Sequence, residues 1–279
     1  MYLQMIDIAL WSLKQVFCFL DAFSARICFA CKQDIAAKRD KYFCLNCLTF
    51  LQQSAHESIK QVEGKRIFYA LEYEEFIKKY MRDFKYRNPF LLLFWMAQLE
   101  KLISKNFALI LLPEILSVLE ENYKQGSMQH TIYINLLAIP MHLQRKQKRK
   151  YNQAELLAKH LAINLQTKAQ DLEQRIYKFL GKDLSASLKI KLKFVYNDQI
   201  LIRLKDTPSL FDKSKEERRR LMQGAFLRTF DLKSKDSICL VIDDITTTGT
   251  TLLEAHKTLN FPRTVLVSAC GRISDENFT

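Results

Sequence analysis

The stretch "ICLVIDDITTTGTTLLEA" (residues 238–255) joins two adjacent carboxylates, Asp243 and Asp244, to a turn with five threonines around one glycine, Gly249. The apolar run "SICLVI" is continuous, the pattern of a strand buried on both faces. The two acids therefore fall at its carboxyl end, the edge where open α/β sheets bind ligands. "TLLEAHKTL" is amphipathic and predicts a helix directly after the turn. A glycine lets backbone approach an anion, successive N–H groups converge on it, and the helix start adds the positive end of a dipole. Two acids would repel the phosphate itself, but they suit sugar hydroxyls or a divalent cation shared with the ligand. The ligand this stretch asks for is a sugar phosphate. A simple helix cap would use one acid, not both together with Gly249. A nucleotide hydrolase would need G-x-x-x-x-G-K-[ST] and a dinucleotide fold G-x-G-x-x-G; the chain has neither.

A second constellation is made of sulfur. Cys28 and Cys31 form one C-x2-C pair, Cys44 and Cys47 another, with twelve residues between the pairs. Two such knuckles turn four thiolates toward one tetrahedral zinc, and four protein ligands leave no position for a catalytic water. The expected role is structural, a metal replacing the core that so short a segment cannot build. A disulfide pairing is the alternative, which a reducing cytosol disfavours. Cys18, Cys239 and Cys270 sit in apolar surroundings and read as core.

The third feature is positive charge. The chain carries 43 Lys and Arg against 30 Asp and Glu, a formal +13. Residues 141–193 hold 13 basic against 4 acidic side chains, so most of the surplus lies there. "RKQKRK" (145–150) follows an apolar β-branched run ending near Pro140, which places it at the same sheet edge. Arg145 and Arg149 are the candidates to neutralise a diphosphate leaving group. Lys146, Lys148 and Lys150 are candidates for a nucleic-acid backbone, with a solvated charged face as the plain alternative. His142 is a candidate general base or diphosphate ligand. Arg218, in "SKEERRRLM", is placed to close over the diphosphate. That segment carries Ser214 and Glu217 at capping-box spacing.

The elements that must position these groups read as strands alternating with helices, hence an α/β protein with a largely parallel sheet flanked by helices and a small N-terminal zinc ribbon. An apolar fraction of 48% supports a buried core. Residues 1–24 read as an amphipathic helix able to touch a membrane or a partner. Residues 25–64 read as the zinc ribbon and its polar helical tail, 50–63. Residues 65–279 form the main domain, with an extended run at 66–73 and helices at 74–86, 89–105, 114–124 and 152–165. Segments 188–195 and 199–204 read as a hairpin turning at Tyr196–Asp198. The longest apolar run, 89–99, is too short to span a bilayer and no secretory signal is evident, which predicts a cytoplasmic protein.

"CLVIDDITTTGTTL" resembles the ribose-5-phosphate loop of type I phosphoribosyltransferases. "IPMHLQRKQKRKYNQAELLA" (139–158) and "RLKDTPSLFDKSKEERRRLMQGAF" (203–226) resemble two further signatures of the ComF family of competence proteins, which also begin with a four-cysteine zinc module. The resemblance implies a phosphoribosyltransferase-like domain with a hood. Asp243 and Asp244 would hold the ribose hydroxyls of phosphoribosyl pyrophosphate. Thr246, Thr247, Thr248, Gly249, Thr250 and Thr251 would wrap the 5-phosphate, and magnesium would ride on the diphosphate and ribose oxygens. It further implies a role in natural transformation, handling single-stranded DNA beside uptake machinery such as a helicase. Whether a phosphoribosyl group is transferred, or the fold serves a DNA-binding factor as scaffold or sensor, is left open by the residues. Lys150 stands where the family has Gly, Leu143 where Pro is common, Leu210 where it has Gln and Leu221 where it has Asn.

Overall fold

The computed structural model describes residues 28, 33, 44–47, 49, 58–86, 91–124, 128–208, 213–231 and 235–272. The expected first helix (1–24) and Cys31 lie outside the described residues. The chain divides into two units, Met1–Ala55 and His56–Thr279. In the second unit β1 (Ser58–Val62) and β2 (Lys65–Glu72) are followed by helices α1 (Glu75–Tyr86), α2 (Leu91–Lys105), α3 (Phe107–Ile110) and α4 (Leu112–Tyr123). Then come β3 (Gln129–Ala138), α5 (Leu143–Arg149), α6 (Gln153–Thr167), α7 (Ala169–Ser187) and β4 (Lys189–Tyr196). The next segment, called the hood below only as a label, holds β5 (Leu201–Arg203), α8 (Lys215–Met222) and β6 (Phe226–Arg228). The unit ends with β7 (Ser237–Thr246), α9 (Thr250–Leu259) and β8 (Thr264–Gly271). Among the described residues no helix is long and apolar enough to cross a membrane.

Six strands form one sheet in the order β1-β2-β8-β7-β3-β4, parallel throughout except for the β1–β2 hairpin. Central β3 and β7 are neighbours, yet their crossovers diverge. The β3 crossover, carrying α5, α6 and α7, leads to β4 on one side; the β7 crossover, carrying α9, leads to β8 on the other. Where adjacent crossovers part, no helix covers the carboxyl ends of the strands and a crevice opens. Residues 139–142 and 247–249 leave the sheet at this point, which places both candidate loops beside each other.

Side-chain alternation divides β7 between two layers. Cys239 and Val241 pack into the cluster made by Leu137, Ile139, Met222, Phe226, Leu252, Leu253 and Leu266, joining the sheet to the hood and α9. Ile238, Leu240 and Ile242 point the other way and are fully buried, on the side that α6 covers. Burial on both faces is why this strand reads as an unbroken apolar run.

Two expectations differ from what is observed. Residues 58–62 are a strand rather than part of a polar helix, because Glu63 and Gly64 both take positive φ (49° and 74°) and turn β1 back on β2. The 188–204 hairpin does not form: β4 pairs parallel with β3, while β5 pairs antiparallel with β6 in a separate two-stranded sheet. The long connection before β4 holds α7, whose Ala169, Leu172 and Ile176 are buried and which packs on β4. The polar composition of α7 hides its short apolar stripe.

Asn152 ties the end of β3 to the start of α6. Its side chain caps α6 by accepting from Ala154 N–H (3.1 Å) and donates to the Ile139 carbonyl (3.0 Å). Asn152→Ala is expected to lower stability in urea unfolding by roughly 1–3 kcal/mol, since a cap is lost and a buried carbonyl is left unpaired. A loss under about 0.5 kcal/mol would assign the segment's placement to other interactions.

Candidate functional site

Strand β7 runs on to Thr246, so Asp243 and Asp244 lie on its last paired stretch and alternation sends them to opposite sides. Asp244 meets Lys85 near the end of α1, with Nζ 2.9 Å from Oδ2. Asp243 turns the other way; its Oδ1 accepts the Asp244 N–H at 2.8 Å. Burial, and then the neighbouring Asp244 charge, push the Asp243 carboxyl from 3.8 up to about 8. Burial alone would lower the Lys85 ammonium. The Asp244 charge and hydrogen bond, with Asp243 behind, outweigh that and raise it above its ordinary value.

Lys85 is held from both directions. Tyr151 Oη donates to the Phe84 carbonyl and Gln153 Nε2 to the Lys85 carbonyl (3.1 Å), so the link between α5 and α6 closes the carboxyl end of α1. Helix ends leave such carbonyls without intrahelical partners, and here two side chains satisfy them.

The threonine turn is fastened to the β1–β2 hairpin. Gly249 takes φ +77° as the residue before α9, and a Cβ there would lie 2.7 Å from Ile67 Cδ1 and 2.9 Å from Val62 Cγ2. Conformation and space both demand glycine. Lys60, buried on β1, donates to the Thr247 carbonyl and to that of Arg272 (3.3 Å). Carbonyl and N–H point opposite ways across a trans peptide, so pinning Thr247 O back turns the Thr248 N–H forward. Leu253 N–H makes the first α9 bond, to Gly249 O, leaving the preceding N–H groups without partners inside the helix. Thr248 and Thr250 hydroxyls lie 2.9 Å apart. Thr246 Oγ1 is buried with no hydrogen-bond partner among the described residues. Arg218 Nη1 reaches down from α8 to Thr247 Oγ1 at 2.7 Å.

Asp243, Asp244 and Thr246–Thr251 line a cavity of about 1060 Å³ together with Arg145, Lys148, Arg149 and Arg218. Cationic α5 thus faces the threonine turn across the crevice, as an anion with two charged ends requires. Arg145 Nε is 3.0 Å from Asp206 Oδ1, and Arg149 lies over the Tyr86 ring at 5.0 Å while donating to its hydroxyl at 2.9 Å. Three expected residues stand apart from the lining: His142, Lys146 and Lys150. His142 Nδ1 faces Asp206 at 3.9 Å, beyond hydrogen-bond range. Lys146 pairs with Glu155 at 2.7 Å, and Lys150 takes a left-handed φ of 69° just past α5. Lys60 and Lys85 belong to the site or its support and no local motif marks them, while Arg203 and Asp206 lie in the quoted 203–226 segment without having been singled out. Only the folded chain brings α1 and β1 to the end of β7.

In the first unit Cys28, Cys44 and Cys47 place their sulfurs within 4.8 Å of one another. Cys44 N–H donates to Cys28 Sγ at 3.2 Å. Three sulfurs at this spacing can ligate a metal ion.

No family model matches the chain, and no curated protein matches it.

Asp243 binds its proton more tightly in the folded chain than in the unfolded one. Stability is therefore expected to fall as pH rises from about 4 through about 8, the interval between its two pKa values. Asp243→Asn should flatten this slope and raise the thermal midpoint at pH 8 more than at pH 5 in scanning calorimetry. Parallel pH profiles for parent and variant would contradict the protonation assigned here.

Proposed function

We propose that the second unit binds phosphoribosyl pyrophosphate with magnesium at the carboxyl end of β7. One observation carries this reading. Two adjacent carboxylates lead, without a break, into a glycine turn and a free helix N-terminus, and all of them share one cavity with Arg145 and Arg149. The turn takes the 5-phosphate, with Thr246 Oγ1 as an available hydroxyl. Asp243 and Asp244 take the ribose hydroxyls. Arg145, Arg149 and Arg218 face the diphosphate. Lys85 keeps the paired acids from repelling an anionic ligand. The donor set suits Mg²⁺, which the diphosphate and ribose oxygens would carry beside the two carboxylates; bound there, it offsets diphosphate charge.

The same reading makes this a ComF-type protein of phosphoribosyltransferase-like architecture, acting in the cytoplasm on DNA taken up in natural transformation. Its support is the order of the three motifs and the sheet beneath them. Lys150 adds to it: the family's glycine falls on a residue that here has positive φ. Transfer, if catalysed, is displacement at the anomeric carbon, with the acceptor bonding C1 as the C1–O bond to diphosphate breaks. The non-catalytic alternative keeps the same site as a sensor. Isothermal titration with phosphoribosyl pyrophosphate and Mg²⁺ tests the reading. Asp243→Asn with Asp244→Asn should weaken binding by about tenfold, as loss of the one charged acceptor, Asp244, implies while Asp243 holds its proton below about pH 8. Unchanged affinity would remove the acids from the site.

The cysteine cluster is read as structural zinc with Cys31 as fourth ligand. Metal analysis of reduced protein should find about one zinc per chain, lost in Cys44→Ser along with folding of the first unit. A metal-free chain with an intact first unit would overturn it.

A further inference from the structure

The cationic side of the crevice carries a carboxylate that the sugar-phosphate reading does not use. Asp206 lies between β5 and α8 and lines the cavity together with Arg145, Lys148 and Arg149. Its backbone is fixed from both sides. Arg203 donates from Nε to the Lys205 carbonyl at 3.1 Å and from Nη2 to the Thr207 hydroxyl, and its guanidinium lies over the Phe226 ring at 5.5 Å. An acid held at this point repels a diphosphate, so its place among the cations needs a reason.

Two groups at the start of α5 face this acid. Arg145 Nε is 3.0 Å from Asp206 Oδ1, and His142 Nδ1 is 3.9 Å from the same oxygen. His142 is the N-cap of α5, and Arg145 N–H donates to the His142 carbonyl at 3.0 Å, so the two are adjoining members of one turn. His142 Nδ1 is buried and has no hydrogen-bond partner among the described residues. A buried nitrogen left in that state costs free energy that a single bond recovers. Asp206 thus has one partner in hand and a second, unsatisfied one just out of reach. The pair in hand is a weak one, because the Arg145 and Asp206 side chains are 30% and 38% exposed. A diphosphate brings more charge to the guanidinium than one carboxylate does.

We propose that Asp206 is an internal competitor for the diphosphate end of the ligand: it holds Arg145 until a diphosphate takes its place, and it then passes to His142 Nδ1. His142 stands outside the cavity lining, so the exchange draws the carboxylate away from the incoming charge. Any anion that binds Arg145 must first displace Asp206, which sets an affinity threshold at this end of the crevice and none at the threonine turn. That the competing anion is a diphosphate rests on the proposed function; the exchange itself rests on the geometry of Asp206, Arg145 and His142.

The test titrates the full chain calorimetrically with inorganic pyrophosphate at fixed Mg²⁺, and separately with ribose 5-phosphate as the probe of the threonine turn. Asp206→Asn should bind pyrophosphate roughly fivefold more tightly, the upper end of what a partly exposed ion pair withholds, and ribose 5-phosphate within about twofold of the parent. The sign is decisive, because damage to the fold lowers affinity. In a double-mutant cycle the gain should vanish when Arg145→Gln is already present. His142→Ala removes no side-chain cap bond, and it should weaken pyrophosphate binding in the parent but not in Asp206→Asn. In ¹H–¹⁵N spectra the His142 Nδ1 resonance should shift when pyrophosphate is added to the parent and stay in place in Asp206→Asn. Unchanged or weaker pyrophosphate binding in Asp206→Asn, or a gain that survives Arg145→Gln, overturns the exchange while leaving the sugar-phosphate reading intact. Absence of binding of both ligands, in parent and Asp206→Asn alike, sinks the sugar-phosphate reading and the exchange with it.

Discussion

Two carboxylates placed side by side at the buried end of a central strand repel one another, and the second unit is arranged around that repulsion. Lys85 neutralises Asp244 at 2.9 Å, while Asp243 relieves the remaining conflict by holding its proton to higher pH. Neither remedy is local. Lys85 comes from a helix more than 150 residues earlier in the chain, and it is aligned by Tyr151 and Gln153 from the crossover after β3. The ion pair therefore joins α1, the β3 crossover and β7 in one site. A buried acid kept against its preference costs stability, and such a cost is concentrated where chemistry or binding requires the group.

The threonine turn poses a second constraint. A turn that offers its N–H groups to an anion must turn its carbonyls elsewhere. Buried Lys60 receives one of them, and the absence of a Cβ at Gly249 lets the turn settle on Ile67 and Val62. The β1–β2 hairpin thus acts as a floor under the turn. The hood reaches the same floor from above, where Glu63 pairs with both Arg219 and, at 2.9 Å, Lys257. Hairpin, turn and hood are coupled by charge rather than by apolar packing alone.

Charge in the cavity is sorted by position. Acids occupy the end of β7, and cations line α5 and α1. A ligand with phosphate at both ends and hydroxyls between them fits the sequence of turn, acids and α5 across the crevice.

Much of this was legible in the residues. The strand–acids–turn–helix order of 237–259, the capping box at Ser214 and the parallel sheet all follow from short-range pattern, because burial on two faces and helix capping leave marks on adjacent residues. The hairpin of β1, the separation of β4 from β5 and helix α7 were not legible, since polar composition and weak periodicity leave the choice to long-range pairing. Among site residues, Asp243, Asp244, Gly249, Arg145 and Arg149 declared themselves by type and spacing. Lys60 and Lys85 are ordinary lysines in their own segments. By itself, the sequence singled out the two acids, the glycine turn and the basic segment that the fold brings to one crevice. The tertiary structure alone decided what compensates them, because a buried charge is balanced by whatever the fold brings within a few ångströms, and that neighbour carries no signature along the chain.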